Sequence, residues 1–407
     1  MPIIIASGRF HYYEGFSLKE VISTVLTINA LDCNNLMKIE LVVYFFLPQL
    51  VYGFDGTLEG RVKLGSTYVP TSPSGFKDFN SDAELRLGIL GNAWKNDMWQ
   101  VDYELTAEAK QVDGPSEQAS LRRETDIDFY RAWLRFESGS LKLRGGRQKI
   151  LFGSGYIFRP LGFFDTRNVT GVVPQTQGID GIRSTFYYDN TSSFEGWIVP
   201  AKLNERMITG LRWEALVGGH ESGLVAQYHP PTDLGNLPQF GQELFQLGYH
   251  IKGEYHVGYW SEGRLDLERI RGKHPLRFDA VFGSDYTFNV GDGLHFLLEY
   301  FLSTREPQYT QDDVKGNRTI HQFGLLLDQP VGADISWKLF GLFDVRDGSF
   351  QVIPQVEYTL TSQVFLYFSG SWGGTLKTDR TAGRFFKETG VFNGTEPNIG
   401  LTVLAYF

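Results

Sequence analysis

From residue 54 onward the chain alternates. Phe54, Gly56, Leu58, Gly60, Val62 and Leu64 are interleaved with Asp55, Thr57, Glu59, Arg61 and Lys63. The same period of two returns in Trp99, Val101, Tyr103, Leu105 and Ala107 against Gln100, Asp102, Glu104, Thr106 and Glu108. It recurs at Ile335, Trp337 and Leu339 against Ser336 and Lys338, and at Phe350, Val352, Val356 and Tyr358 against Gln351, Gln355 and Glu357. The chain closes on Ile399, Leu401, Val403 and Ala405 at every second position before the terminal Phe407. Successive side chains of a strand point to opposite faces, so this pattern makes strands with one apolar and one polar face.

Such strands have two outlets. A soluble sandwich or propeller would turn the apolar face into a core, whereas a transmembrane barrel would turn it towards lipid and leave the polar face to a wet lumen. Aromatics make up 15% of the 407 residues, with 20 Tyr, 32 Phe and 8 Trp, and there are 46 Gly, yet mean hydropathy is only −0.21. A barrel reconciles these values, because each strand spans with roughly four or five lipid-facing side chains. No apolar run reaches the ~18 residues that a membrane helix needs.

The connections also alternate in length. Tight links fall near Lys95 to Asp97, Ser138-Gly139, Asn190 to Ser193, Gly219-His220, Gly291 to Gly293, Pro330 to Ala333 and Thr361-Ser362. Longer ones occupy 66–80, 112–125, 152–177, 231–241, 305–318 and 374–396. Short and long links in alternation are a second mark of a membrane barrel, and no blade-sized repeat appears. The sequence predicts an all-β fold, a single transmembrane antiparallel β-barrel over 54–407. It has about 18 strands, or 16 if a short pair near 193–230 is miscounted. Trp94 and Trp99 flank a tight link, where an aromatic girdle meets the membrane boundary.

Met37-Lys38, the apolar stretch Leu41 to Leu47, Pro48 and the compact residues up to Gly53 read as a secretory signal peptide over 37–53. Residues 1–36 are then expected to stem from an upstream start. Ile22 to Ala30 is the rival apolar stretch, and Asp32 before Cys33 argues against a lipoprotein site. The lone cysteine suits an oxidising exterior. The formal net charge of −9 gives no nucleic-acid footprint, so any attraction for anions has to be local.

Charge is densest on three successive strands. Arg131 and Arg135 share a face with Trp133 and Glu137, Lys142 and Arg144 lie on the next strand, and Arg183 on the one after, beside Tyr187 and Asp189. Glu84, Asp102, Glu104 and Glu108 line two earlier strands. Opposed rows of this kind would set a transverse field across a pore; the alternative is that they are wall-bracing ion pairs. Segment 152–177 is too apolar for a free loop. It is expected to fold into the lumen as a constriction, burying Tyr156, Phe158, Phe163 and Phe164 and lining the passage with Arg159, Asp165 and Arg167. Gly145-Gly146 permits a bulge, which leaves the side taken by Arg147 open.

Gly146-Arg147-Gln148, Gly153 and Asp180-Gly181-Ile182-Arg183 resemble the pattern of porin-like outer-membrane proteins, including the alginate-export type. The final strand with Phe407 is similar to the C-terminal signal by which Gram-negative barrels are handed to their assembly machinery. These resemblances imply an 18-strand barrel in outer-membrane lipid and lipopolysaccharide. They also imply an arginine-rich lumen with Arg147 and Arg183 as pore residues. The acidic rows and the aromatic 152–177 segment depart from a uniformly cationic conduit, so an anionic saccharide substrate does not transfer with the family likeness. The expected function is passive diffusion of small polar or anionic solutes.

The competing classes have less support. A barrel enzyme would need a Ser, His and acid set; His250 and His256 near Glu254 and Glu262 are the available histidines. No pair of histidines has metal spacing, no cofactor is expected, and Gly153-Ser154-Gly155 is not a phosphate loop because no helix follows. Asp312-Asp313 offer a divalent cation a place among lipopolysaccharide phosphates, though a solvated acidic loop explains them better. A plugged receptor lacks room for its plug, and a scaffold has only the long loops in its favour.

Overall fold

A computed structural model of the chain describes residues 26–29, 38–41, 55–69, 79–115, 121–200, 206–231, 243–269, 276–304, 319–345, 348–376 and 397–407. It divides into a unit of residues 1–55 and a unit of residues 56–407. In the first, β1 (Leu26–Asn29) pairs antiparallel with β2 (Lys38–Leu41). The rest of the expected signal segment, the 305–318 connection and Asp312-Asp313 lie outside the described residues.

The second unit is a closed barrel of 18 antiparallel strands, β3 to β20. They are β3 (Asp55–Tyr68), β4 (Phe79–Lys95), β5 (Gln100–Pro115), β6 (Leu121–Ser138), β7 (Leu141–Gln148), β8 (Ile179–Tyr187), β9 (Ser193–Pro200), β10 (Met207–Val217) and β11 (His220–His229). The circuit continues with β12 (Glu243–Glu254), β13 (Gly258–Arg269), β14 (Leu276–Phe288), β15 (Leu294–Ser303), β16 (Ile320–Val331), β17 (Ile335–Asp344), β18 (Ser349–Thr361), β19 (Val364–Thr375) and β20 (Asn398–Tyr406). Every strand pairs with its sequence neighbours, and β20 closes on β3 with Val403 opposite Leu64. Closure leaves no edge carrying unpaired N–H and C=O groups, which hydrocarbon cannot satisfy.

The seam explains the aromatic terminus. The Phe407 amide donates to Gly60 O at 3.0 Å, and the Gly60 amide returns a bond to Phe407 O at 2.8 Å. The Phe407 ring occupies the space that a Cβ on Gly60 would fill. Glycine on β3 is thus a socket for the last residue.

Eight tight links join strands at one rim: 96–99, 139–140, 188–192, 218–219, 255–257, 289–293, 332–334 and 362–363. The 255–257 turn escapes the sequence reading because Tyr255 and Val257 continue the apolar alternation through it. Positive φ at Gly139 and Gly218 supplies the backbone that two-residue hairpins require. Exposed Trp94, Trp99, Tyr188, Tyr255, Phe288 and Tyr358 lie at or near this rim, the placement of an interfacial girdle.

The outer face is apolar, with Leu105, Leu134, Ile182, Ile198, Leu211 and Leu224 exposed on successive strands. The inner face is less uniform than alternation implies. Trp260, Val281, Leu297, Phe301, Leu326, Phe340, Leu342 and Ile353 also point inwards, and with Ile157, Phe158 and Val169 they form a core inside the barrel. A second inner cluster joins Ile150, Phe152, Leu161 and Phe164 to Trp197, Val199 and Val225. The segment between β7 and β8 supplies residues to both. Gly60→Leu should therefore lower the fraction of chains that resist unfolding in cold SDS, read as the heat-dependent shift in gel mobility. Leucine at Gly56, away from the Phe407 ring, should shift it less.

Candidate functional site

The site is the lumen where segment 149–178 meets the inner wall. Gly153 takes φ +86°, and a Cβ there would strike the Glu262 carboxylate. That turn aims consecutive backbone amides at wall carboxylates. Glu262 on β13 accepts from the amides of Ser154 (2.9 Å), Gly155 (2.8 Å) and Leu161 (2.5 Å). Glu299 on β15 accepts from the amides of Tyr156 (2.6 Å), Ile157 (2.8 Å) and Phe158 (2.8 Å), and from Trp260 Nε1 (2.8 Å). Both carboxylates are fully buried. Hydrogen bonds to an ionised acceptor contribute about 1.5–3 kcal/mol each, and an unmet buried charge costs more.

Packing completes the attachment. Phe158 stacks on Phe301 at 5.1 Å between centroids, and Phe152 packs on Trp197 at 4.6 Å. Gly324 on β16 and Gly248 on β12 leave the hollows that Ile157 and Leu161 fill. Further along, Gln355 donates to Thr170 O at 2.6 Å and Arg264 to Pro160 O at 2.6 Å. Phe163 packs against the second inner cluster. Segment 152–177 thus lies inside the barrel, as its apolarity requires.

Of the three polar residues expected at the passage, Asp165 is buried. It accepts from Arg167 Nη2 (2.8 Å), from Thr176 Oγ1 (2.6 Å) and from Arg159. Burial pushes its carboxyl up, but the bonds from Arg167 and Thr176 and the Arg159 charge outweigh this and hold it below the usual carboxylate range. Arg159 is largely enclosed and also donates to Arg167 O at 2.8 Å, so it is a brace. Arg167 remains partly accessible, and Tyr156 is 43% exposed.

On the wall, the expected residues separate by role. Arg135 opposes Asp102 across β5 and β6, Arg144 opposes Arg135 on β7, and Arg183 opposes Arg144 on β8. Arg135 binds Asp102 through Nε (2.8 Å) and Nη2 (2.5 Å), and Arg183 binds Glu195 at 2.5 Å. Arg144 sits between two like charges, its guanidinium 4.3 Å from the Trp133 ring centre. Among the described residues no carboxylate forms an ion pair with it. Trp133 Nε1 donates to Glu104 at 2.8 Å, and Lys142 meets Glu137 at 3.2 Å.

Three expectations need correction. Arg147 opposes Ala132 and Asp180 and so lies on the outer face, where it pairs with Asp128 and with Asp180 (3.0 Å). The glycines at 145 and 146 do not shift it to the Arg144 side. Arg131 is only 5% exposed and donates to Tyr130 O (2.7 Å) and Thr176 O (2.8 Å), so it fastens the end of the segment. The acidic and basic rows are side by side on neighbouring strands and not opposed across the lumen. Glu84 pairs with Arg61 and Arg86, and Glu108 with Arg86 and Lys110.

Glu262 and Glu299 carry no signal in the sequence as loop anchors. Glu262 is one polar residue among alternating ones, Glu299 is a lone carboxylate in the largely apolar strand β15, and only the fold brings the 154–161 amides to them. Glu299→Gln, which removes the charge and turns an amide donor towards backbone donors, should destabilise the attachment by about 3 kcal/mol or more. Trypsin should then cut the folded barrel after Arg167, and single-channel conductance should rise. Unchanged protection would show that packing alone holds the segment.

No model of a known protein family matches the chain, and no curated protein matches it. Solved structures do. Salmonella typhi OmpF in complex with daunomycin superposes with a TM-score of 0.50 at 11% identity, over 87% of this chain and 98% of that one. A mutant of Rh. blastica porin gives 0.47 at 14% identity, over 87% and 100%. OmpT, an outer-membrane protein of Vibrio cholerae, gives 0.45 at 13% identity, over 87% and 100%. At 11% identity the likeness to the first of these is one of fold, a porin-like β-barrel.

Proposed function

We propose that the protein is an outer-membrane diffusion channel whose lumen favours small polar and anionic solutes. The observation that carries this reading is the row Arg135, Arg144 and Arg183, in which no carboxylate among the described residues pairs with the central guanidinium. Like charges directly opposite on neighbouring strands are destabilising. A row of three such arginines is a local rule broken at a cost, which is where a functional role is sought. A guanidinium held between low-dielectric walls raises the local concentration of anions, and its planar fork matches carboxylate and phosphate groups.

The internal segment adds to the same sign. Arg159 and Arg167 share a single carboxylate, Asp165, which leaves that cluster with a positive surplus. Flux through such a path needs weak, repeated contacts along water and not one tight site, so no residue acts as a catalyst. The Ser154 to His250 contact (3.1 Å) does not favour acyl transfer, because the neighbouring amides that could cradle an oxyanion are already committed to Glu262. Outer-membrane lipid and lipopolysaccharide are the expected surroundings of the apolar outer face. The β20 strand is the expected handle for the assembly machinery. An anionic saccharide is one solute that this chemistry would admit.

Planar-bilayer reversal potentials under a salt gradient test the reading. Arg144→Glu should move selectivity towards cations by several-fold in permeability ratio, while Arg147→Gln, on the outer face, should leave it unchanged. The opposite pattern would overturn the assignment of the arginine row to the pore. Deleting 156–166 should raise conductance; an unaltered conductance would make the segment a brace of the wall and not a constriction.

A further inference from the structure

On the inner wall, beyond Glu195, the partner of Arg183, three adjacent strands bring Glu214 (β10), Glu221 (β11) and His250 (β12) together. Their ligand atoms all lie within 4.8 Å of one another. His250 is 1% exposed, and its Nε2 is buried without a hydrogen-bond partner while standing 3.6 Å from Glu214 Oε1. Gly223 lies directly across on β11, where a Cβ would occupy the place of the imidazole edge, and Glu262, committed to the amides of the internal segment, lies directly across on β13. The imidazole is thus seated in a slot made for it, with one nitrogen left over.

Two more buried orphans stand beside it. Arg212, two residues before Glu214, pairs with that carboxylate but leaves its Nε without a partner. Glu195, directly opposite Arg212 on β9, leaves its Oε1 unmet. Buried polar atoms are nearly always satisfied, so three orphans in one neighbourhood point to a missing component.

We propose that Glu214, Glu221 and His250 form a binding site for a zinc-class divalent cation. One imidazole and two carboxylates are the ligands such an ion takes, with a position open to lumen water. Bonds of about 2 Å to one ion bring ligand atoms to within roughly 4 Å of each other, so closure requires a movement of about 1 Å, which the exposed Glu221 side chain supplies. Ser154 Oγ, 3.1 Å from His250 Nδ1, accepts the other ring proton and so fixes the tautomer that presents a lone pair at Nε2. The displaced Arg212 finds the free oxygen of Glu195. Because Ser154 belongs to the internal segment, an ion here ties that segment to three wall strands.

The site is tested on the refolded, detergent-solubilised barrel by equilibrium dialysis against Zn2+ with a weak competing chelator. One Zn2+ per chain is expected, lost in His250→Gln and in Glu221→Gln. Ser154→Ala, which removes only the orienting acceptor, should weaken binding by about tenfold. Glu221→Gln alters an exposed side chain and keeps the test independent of folding; its cold-SDS mobility serves as the check. Absence of stoichiometric Zn2+, or stoichiometry unchanged in both His250→Gln and Glu221→Gln, would overturn the assignment. Neither result bears on the anion selectivity of the Arg144 row.

Discussion

Two buried carboxylates organise the interior of this barrel. Glu262 and Glu299 stand on β13 and β15, two strands apart, and together accept six backbone amides from residues 154–161. An isolated buried carboxylate is prohibitively costly, and a segment crossing a lumen leaves its amides without strand partners. Each problem removes the other. The apolar packing of Phe152, Phe158 and Leu161 then follows the path that the amides set, and the apolar patch on the inner faces of β13 to β18 is covered.

Once the segment is fixed, the remaining polar wall is divided. Glu84, Asp102 and Glu108 are spent on nearby cations, Glu104 on the Trp133 indole, and Arg131 and Arg159 on carbonyls and Asp165. What stays available is Arg144, held off its like-charged neighbours by the face of Trp133. The charge at this point is therefore set by subtraction. It cannot be read from the count of Lys and Arg, which is smaller than that of Asp and Glu by 38 against 47.

The same reasoning separates the outer face from the inner one at Arg147. It lies one strand position beyond Gly146, and side-chain period two sends it outwards to Asp128 and Asp180, so the Gly146-Arg147-Gln148 motif does not place its arginine in the pore. Gly146 sits opposite Trp133 and leaves open the wall over which Arg144 lies. Arg144 and Arg147, three apart on one strand, thus serve opposite environments.

The sequence alone determined the strands, their alternating exposure, the antiparallel barrel and the internal course of the 152–177 segment. All of these follow from local periodicity, link length and the cost of exposing aromatics. It also marked Arg135, Arg144 and Arg183 as one face, since parity along a strand is a local property. Which charges remain unpaired, which carboxylates hold the segment, and which apolar residues of β13 to β18 face inwards were decided by tertiary structure. Pairing partners lie 23 residues apart for Glu84 with Arg61 and 143 apart for Tyr156 with Glu299. Register around a closed cylinder, not any local pattern, brings them within hydrogen-bond reach.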